Sequence, residues 1–298
     1  MPSVSVIVCS YTEARWAELV EAVASVDCQT SPPTEILVVV DHNPVLLERV
    51  REALPSVRAL ANAGPRGLSG ARNTGIAMAT GDVVAFLDDD AAADPDWLGR
   101  LLAPYANARV FGVGGYIEPA WTSPPPAWFP DEFRWVVGCS YRGLPAHGGA
   151  VRNLIGANMS LRRLVFDEVG GFRGELGHQG TTAGGDEETE LCIRVRQRWP
   201  DAVLWYEPTA RVRHHVPASR TTWSYFRTRC FAEGLNKARV ARFVGAADGL
   251  ASERAYTLAT LPSGMARALS RGQAIRAVAI ALGLMVTVAG YARETVRR

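Results

Sequence analysis

Short apolar runs alternate with amphipathic stretches over the first third of the chain. Val4-Ser5-Val6-Ile7-Val8 is rich in β-branched residues and reads as a buried strand. Residues 14–26 set Trp16, Leu19, Val20, Val23 and Val26 at helical spacing. Glu35-Ile36-Leu37-Val38-Val39-Val40 reads as a second buried strand ending at Asp41, and 45–54 as a helix. A turn-rich loop at 64–70, a helix over 71–79 stopped by Gly81, and a third strand, Val83-Val84-Ala85-Phe86-Leu87, follow. This order predicts a parallel sheet with helices on both faces, because uninterrupted apolar strands must be covered on both sides. Ligands of such sheets sit beyond the carboxyl ends of the strands. Cys9-Ser10-Tyr11, Asp41 and Asp88-Asp89-Asp90 all fall there, so three strand ends share one crevice.

The second half is less regular. Residues 119–130 contain Pro119, Pro124, Pro125, Pro126 and Pro130 and predict a loop, since proline disrupts helices and central strands. Trp121, Trp128, Phe129 and Trp135 cluster around it and fit sugar stacking or core packing equally well. Residues 189–199 read as a helix, 203–206 and 210–216 as two strands, and 222–244 as a long helix. From 277 to 292 there is no charge, with Arg267, Arg271 and Arg276 before and Arg293, Arg297 and Arg298 after. A spanning helix needs about 20 apolar residues and at least roughly 17. The segment therefore fits a short spanning or surface helix at an anionic cytoplasmic membrane face, and equally a core or homodimer-interface helix.

Composition narrows the class. With 298 residues, 48% hydrophobic and 21% charged, the chain suits one large domain with or without a tail. A formal net charge of +2 gives no reason to expect a nucleic-acid partner. The five cysteines are scattered without a C-x-x-C pair, so neither a disulfide framework nor a zinc site is expected. No basic stretch precedes the first apolar run, and a cytoplasmic location follows, peripheral or C-terminally anchored at the membrane if the last helix meets lipid.

Candidate chemistry centres on Asp88-Asp89-Asp90. Adjacent carboxylates repel, and a hard divalent cation such as Mg²⁺ or Mn²⁺ removes that cost. On an extended segment Asp88 and Asp90 face the same way, which leaves Asp89 pointing aside and replaceable. The plain alternative is a solvated acidic loop capping a helix near Asp94.

The stretches Leu68-Ser69-Gly70-Ala71-Arg72-Asn73-Thr74-Gly75-Ile76, Ala79-Thr80-Gly81-Asp82 and Phe86-Leu87-Asp88-Asp89-Asp90 resemble the nucleotide-sugar half of family 2 glycosyltransferases. The first strand, Ser5 to Tyr11 in sequence, is similar as well. The resemblance implies an α/β protein of GT-A (Rossmann-like) fold: a mixed, mainly parallel sheet with helices on both faces and a C-terminal helical tail. It divides the chain into 1–220, with a nucleotide-sugar half at 1–115 and an acceptor half at 116–220, and a helical region at 221–298. It further implies that Ser10, Tyr11, Glu13, Asp41, Arg72, Asp88 and Asp89 contact the donor and that Asp90 binds Mn²⁺ or Mg²⁺.

Gly184-Gly185-Asp186-Glu187-Glu188-Thr189-Glu190-Leu191-Cys192-Ile193-Arg194 resembles the family's E-D-x-[DE]-L-x-x-R segment. There the second acid is the catalytic base, which points to Glu188, with Glu187 and Asp186 as alternatives. Acids in a first helical turn, and a Glu190–Arg194 pair at i,i+4, are also ordinary helix chemistry. In Arg211-Val212-Arg213-His214-His215-Val216, His214 shares a face with the apolar positions and resembles the family histidine near the metal. Asn158, in Ile155-Gly156-Ala157-Asn158-Met159-Ser160, resembles the acceptor-side segment and would bond a sugar hydroxyl. The expected activity is inverting transfer from a nucleotide-diphosphate sugar to a hydroxyl acceptor: lipid-linked, a saccharide or a small metabolite. A non-catalytic nucleotide-sugar-binding protein is the runner-up. A nucleotidyltransferase fits less well, because Cys9-Ser10-Tyr11-Thr12-Glu13 lacks a glycine-rich phosphate loop.

Overall fold

The structure is a computed structural model that describes residues 1–176, 185–245 and 255–296. Its strands are β1 (Val4–Ser10), β2 (Glu35–Val40), β3 (Arg58–Ala61), β4 (Val83–Asp88), β5 (Ala91–Ala93), β6 (Val110–Trp121), β7 (Gly149–Ala150), β8 (Asn158–Arg162) and β9 (Val203–Val216). The helices are α1 (Trp16–Asp27), α2 (Pro44–Ala53), α3 (Leu68–Met78), α4 (Trp97–Leu102), α5 (Arg163–Val169), α6 (Glu187–Arg198), α7 (Trp223–Val244), α8 (Leu261–Ser270) and α9 (Ala274–Val296). One sheet runs β3-β2-β1-β4-β8-β6-β9-β5, with β7 on β9.

The first four strands of that order are parallel, as the apolar runs require. Alternation splits them between two cores. Val6, Val8, Val38 and Val40 pack on Leu19, Val23, Leu46 and Val50 from α1 and α2. Ile7, Leu37, Val39 and Phe86 pack on Ala71 of α3 and on Leu191 and Val195 of α6. In this register Cys9 lies opposite both Val39 and Asp88, so the ends of β1, β2 and β4 meet at one edge. Beyond β4 the sheet is mixed: β8 is antiparallel to β4 and β6, β9 is parallel to β6, and β5 and β7 are antiparallel to β9.

The second half departs from the pattern-based reading. Instead of two strands, 203–216 is one strand, whose pairing with β6 slips between Gly115 and Tyr116. Nor does the proline-rich segment start as a loop: β6 continues through Pro119 to Trp121. Strand β8 pairs with β6 only from Gly112 to Gly114, so among the described residues one edge of β6 past that point has no strand partner and can take a proline. The remaining aromatics pack rather than face solvent. Trp128 stacks on Trp223 of α7 at 3.9 Å, and Trp121 meets Phe129 edge-on at 5.6 Å.

Asn158 corrects another expectation. Instead of facing a sugar, it is completely buried where β6 and β9 slip. Its Nδ2 donates to the carbonyls of Tyr116 (3.1 Å) and Ala210 (3.0 Å), and its Oδ1 accepts from Trp97 Nε1 at 2.8 Å. Gly115 makes room, because a Cβ there would overlap both the Asn158 amide and the Ala210 carbonyl. The amide thus satisfies backbone groups that the slip in register leaves without ladder partners.

Helices α7 and α9 run side by side. A Cβ at Gly234 would overlap the Thr287 carbonyl, and one at Gly290 the Phe231 carbonyl, so the two backbones touch. Gly283 abuts Phe133, and Gly264 of α8 abuts Glu132, which seats the C-terminal helices on the 131–137 segment.

Replacing Asn158 by Ala strands three buried polar partners at roughly 1–3 kcal/mol each before relaxation. We expect Asn158→Ala to lower stability by about 2–4 kcal/mol in urea unfolding, with donor affinity of the folded fraction unchanged. A loss of donor affinity with normal stability would return Asn158 to the binding site.

Candidate active site

The acidic triplet sits where β4 ends. Asp88 keeps 30% side-chain exposure, while Asp89 and Asp90 are buried. Asp89 is not a spare residue pointing into solvent, as alternation suggests. Ser10 Oγ donates to its Oδ2 at 2.7 Å and Arg15 Nη1 to its Oδ1 at 3.0 Å. Ser10 is therefore committed to holding the triplet and is buried, rather than open to a donor. Burial, and after it the Asp90 charge, push the Asp89 carboxyl up to about 6, against the pull of Arg15 and Ser10.

Asp90 is surrounded by cations. Arg15 Nη1 lies 3.1 Å from its Oδ2, His214 Nε2 3.2 Å from its Oδ1, and Arg220 Nη2 3.9 Å from its Oδ2. Burial works to raise the Asp90 carboxyl, but His214, Arg15 and Arg220 outweigh it and hold it far below the usual carboxylate range. His214 arrives on β9 through pairing with Ala91 of β5, and the backbone N–H of His215 donates to the Asp90 carbonyl at 2.7 Å. Although burial opposes protonation, Asp90 raises the buried imidazole to about 10.

Asp88, Asp90 and His214 each turn one ligand atom into a common space, all within 4.8 Å of one another. Two carboxylate oxygens and an imidazole nitrogen are a donor set suited to Mn²⁺ and acceptable to Mg²⁺. The residues present fit a divalent cation, with Asp88, Asp90 and His214 as its protein ligands.

Arg72 is enclosed, 3% exposed, between the Phe86 and Phe172 rings. The family resemblance implies that it contacts the donor. Instead Nη1 donates to Glu187 Oε1 at 3.0 Å, and Nη2 to Asp88 Oδ1 at 3.3 Å and to the Gly156 carbonyl at 3.2 Å. It ties the strand end to the start of α6. Asp186, with φ of +69°, and Glu187 and Glu188 open that helix, where the N-terminal amides favour anions. Burial nevertheless raises Glu187, against Arg72, while among the described residues no hydrogen-bond donor reaches its Oε2. Burial, then Glu187 and Asp186, raise Glu188 well above the usual glutamate range. Glu190 takes no part: buried, it pairs with Arg173 (2.6 Å) and Arg194 (2.8 Å), and Arg194 Nη2 bonds the Gly171 carbonyl at 2.7 Å.

Asp41 is tied in as well. Its Oδ1 accepts from Asn62 at 2.6 Å and lies 2.8 Å from His42 Nδ1, and its Oδ2 accepts from the Gly67 N–H at 2.9 Å. These bonds fold the 62–67 loop onto β2 and lower the carboxyl in spite of its burial. Tyr11 and Glu13 are exposed beside this edge. The sequence reading misses Arg15 and Arg220. Neither lies in a motif, and only the short helix after β1 and the turn after β9 aim them at Asp90. Of Gly184-Gly185, Gly184 lies outside the described residues.

A mixed sheet with acids gathered at its strand ends is the GT-A glycosyltransferase architecture, and two solved structures share it. The mannosyltransferase PcManGT from Pyrobaculum calidifontis, in complex with GDP-Man and Mn²⁺, aligns with a TM-score of 0.61 at 18% identity, over 96% of this chain and 87% of that one. GalNAc-T7 with UDP, GalNAc and Mn²⁺ aligns with a TM-score of 0.56 at 22% identity, over 72% and 43%. Residues 5–170 match the family model for glycosyl transferase family 2, so the chain belongs to that family and is a glycosyltransferase. Among curated relatives, the glucosyl-dolichyl phosphate glucuronosyltransferase of Haloferax volcanii is 39% identical over 238 residues, 78% of this chain and 76% of its own. The succinoglycan biosynthesis protein ExoM of Rhizobium meliloti is 27% identical over 240 residues, 78% and 73%.

With His214 held protonated by Asp90 to about pH 10, a cation that takes the imidazole nitrogen must release one proton. Affinity for Mn²⁺ should rise about tenfold per pH unit through the neutral range and level off as pH nears the His214 value. Calorimetry in buffers of different ionisation enthalpy should count one proton released per ion in the wild type and none in His214→Gln.

Proposed function

We propose that this glycosyltransferase moves a sugar from a nucleoside-diphosphate sugar to an acceptor hydroxyl with inversion at the anomeric carbon. The supporting observation is the bridge Glu187–Arg72–Asp88, centred on a buried guanidinium, which ties the candidate cation-binding strand end to an acidic helix start. Donor diphosphate belongs at Asp88, Asp90 and His214, and the acceptor belongs at α6. A bound Mn²⁺ or Mg²⁺ would neutralise charge on the leaving diphosphate.

Glu188 is the general base in this reading. Glu187 has one oxygen fixed on Arg72 and is almost fully buried, whereas Glu188 is partly exposed and its affinity for a proton is raised. Such a carboxylate removes the acceptor hydroxyl proton as that oxygen bonds to the anomeric carbon. The bond from that carbon to the diphosphate oxygen breaks on the opposite face, and its electron pair leaves with the nucleotide. Asp41, Tyr11 and Glu13 border the nucleoside end, and Arg15 and Arg220 lie within reach of diphosphate charge. The acceptor class we favour is lipid-linked, because the Haloferax volcanii relative is named for a dolichyl phosphate substrate.

Glu188→Gln should lower kcat by roughly 10²–10⁴-fold with little change in donor KM. The base acts ionised, so kcat should rise with pH through the raised Glu188 pKa and show an acid limb well above the usual glutamate range. An acid limb at ordinary glutamate pH, or a Glu188→Gln variant with full kcat, would remove Glu188 from the role. Proton NMR of the fresh product reads the anomeric configuration and tests inversion.

A further inference from the structure

Helix α9 has 23 residues, about 34 Å at 1.5 Å per residue, and a mean hydropathy of 1.8 over its most apolar window. Length and composition alone would let it cross a bilayer. Its packing argues otherwise. Gly234 and Gly290 bring α7 and α9 into backbone contact, and Arg239 and Arg242 of α7 pair with Glu294 at 3.3 and 3.2 Å. Helix α7 carries Arg227, Arg229, Glu233, Lys237, Arg239 and Arg242 along its length. To cross the hydrocarbon, α9 would have to strip from α7 or drag those charges with it, and either is costly.

The opposite face of α9 is exposed among the described residues. Ile275, Val278, Leu282, Met285 and Val288 are 53, 53, 37, 58 and 57% exposed, at spacings of three and four residues that form one stripe. Between Ala274 and Tyr291 there is no acidic residue, and Arg271, Arg276 and Arg293 bracket the stripe. An apolar stripe flanked by Arg271, Arg276 and Arg293, with the nearby Glu294 already paired to Arg239 and Arg242, complements a surface of apolar chains beneath anionic headgroups. We propose that α9 lies in the plane of an anionic lipid surface, with Ile275, Val278, Leu282, Met285 and Val288 inserted and its glycine face kept on α7. The inner side of the helix reaches the candidate metal site through few contacts: Gly283 touches Phe133, and the segment beginning there ends at Gly138, beside the His214 ring. Docking would therefore hold the site near the surface where a lipid-linked acceptor resides, yet the inference stands without that acceptor reading.

The test uses the full chain and needs no turnover. Wild type should sediment with phosphatidylglycerol-containing vesicles at least tenfold more than with pure phosphatidylcholine, lose this in high salt, and leave cell membranes in alkaline carbonate. Leu282→Glu with Met285→Glu should abolish sedimentation without changing Tm, while Leu164→Glu, at an exposed apolar position on α5, should not. Three results overturn the proposal: equal partition to neutral and anionic vesicles, retention in carbonate, or a vesicle-free dimer that Met285→Glu dissociates.

Discussion

Carboxylates crowded at one edge of a sheet repel one another, and Arg72 is the group that makes their convergence tolerable. Its guanidinium holds Asp88 from β4, Glu187 from α6 and the Gly156 carbonyl before β8. The group itself is 3% exposed and lies against the Phe86 and Phe172 rings. Removing one partner of such a buried pair typically costs about 3–5 kcal/mol, since the other charge is left in a poor dielectric. The placement of the start of α6 against the end of β4 depends on this bridge. Gly156 belongs to the same device, as a Cβ there would collide with the guanidinium.

A second cationic set manages Asp89 and Asp90 differently. Arg15 spans both acids, and His214 and Arg220 lean on Asp90 alone. Asp89 is bonded on both oxygens and serves as a strut. Asp90 and His214, by contrast, face the same space as the partly exposed Asp88, so their pairing can give way to a cation. The same local chemistry thus divides adjacent aspartates into one that holds the loop and two that share the candidate cation site.

The parallel half was legible because β1, β2 and β4 are unbroken apolar runs, and the strand-end rule then brought Asp41 and Asp88-Asp89-Asp90 together. Strand β6 was not, since Gly112, Gly114 and Gly115 break its apolar pattern and Pro119 mimics a loop. Asn158 misled for a related reason. Its position in the motif is real, but its amide serves a slip in register that no local pattern announces. Arg72, read as a donor contact, turns inward onto Glu187, a partner 115 positions away that no local pattern announces. Alternation marked Asp89 as idle; only the tertiary approach of Ser10 and Arg15 shows its task. For α9 the sequence left a membrane helix, spanning or at the surface, equal to a core or interface helix, and the glycine contacts show one of its faces packed on α7.

The central claim is that Asp88, Asp90 and His214 together hold one divalent cation. Pulsed electron paramagnetic resonance of the Mn²⁺-loaded protein tests it most directly. The account predicts a single bound ion with nitrogen modulation from an imidazole, lost in His214→Gln while a weaker, all-oxygen site remains. A bound Mn²⁺ with no nitrogen coupling, or with coupling that survives His214→Gln, would contradict it.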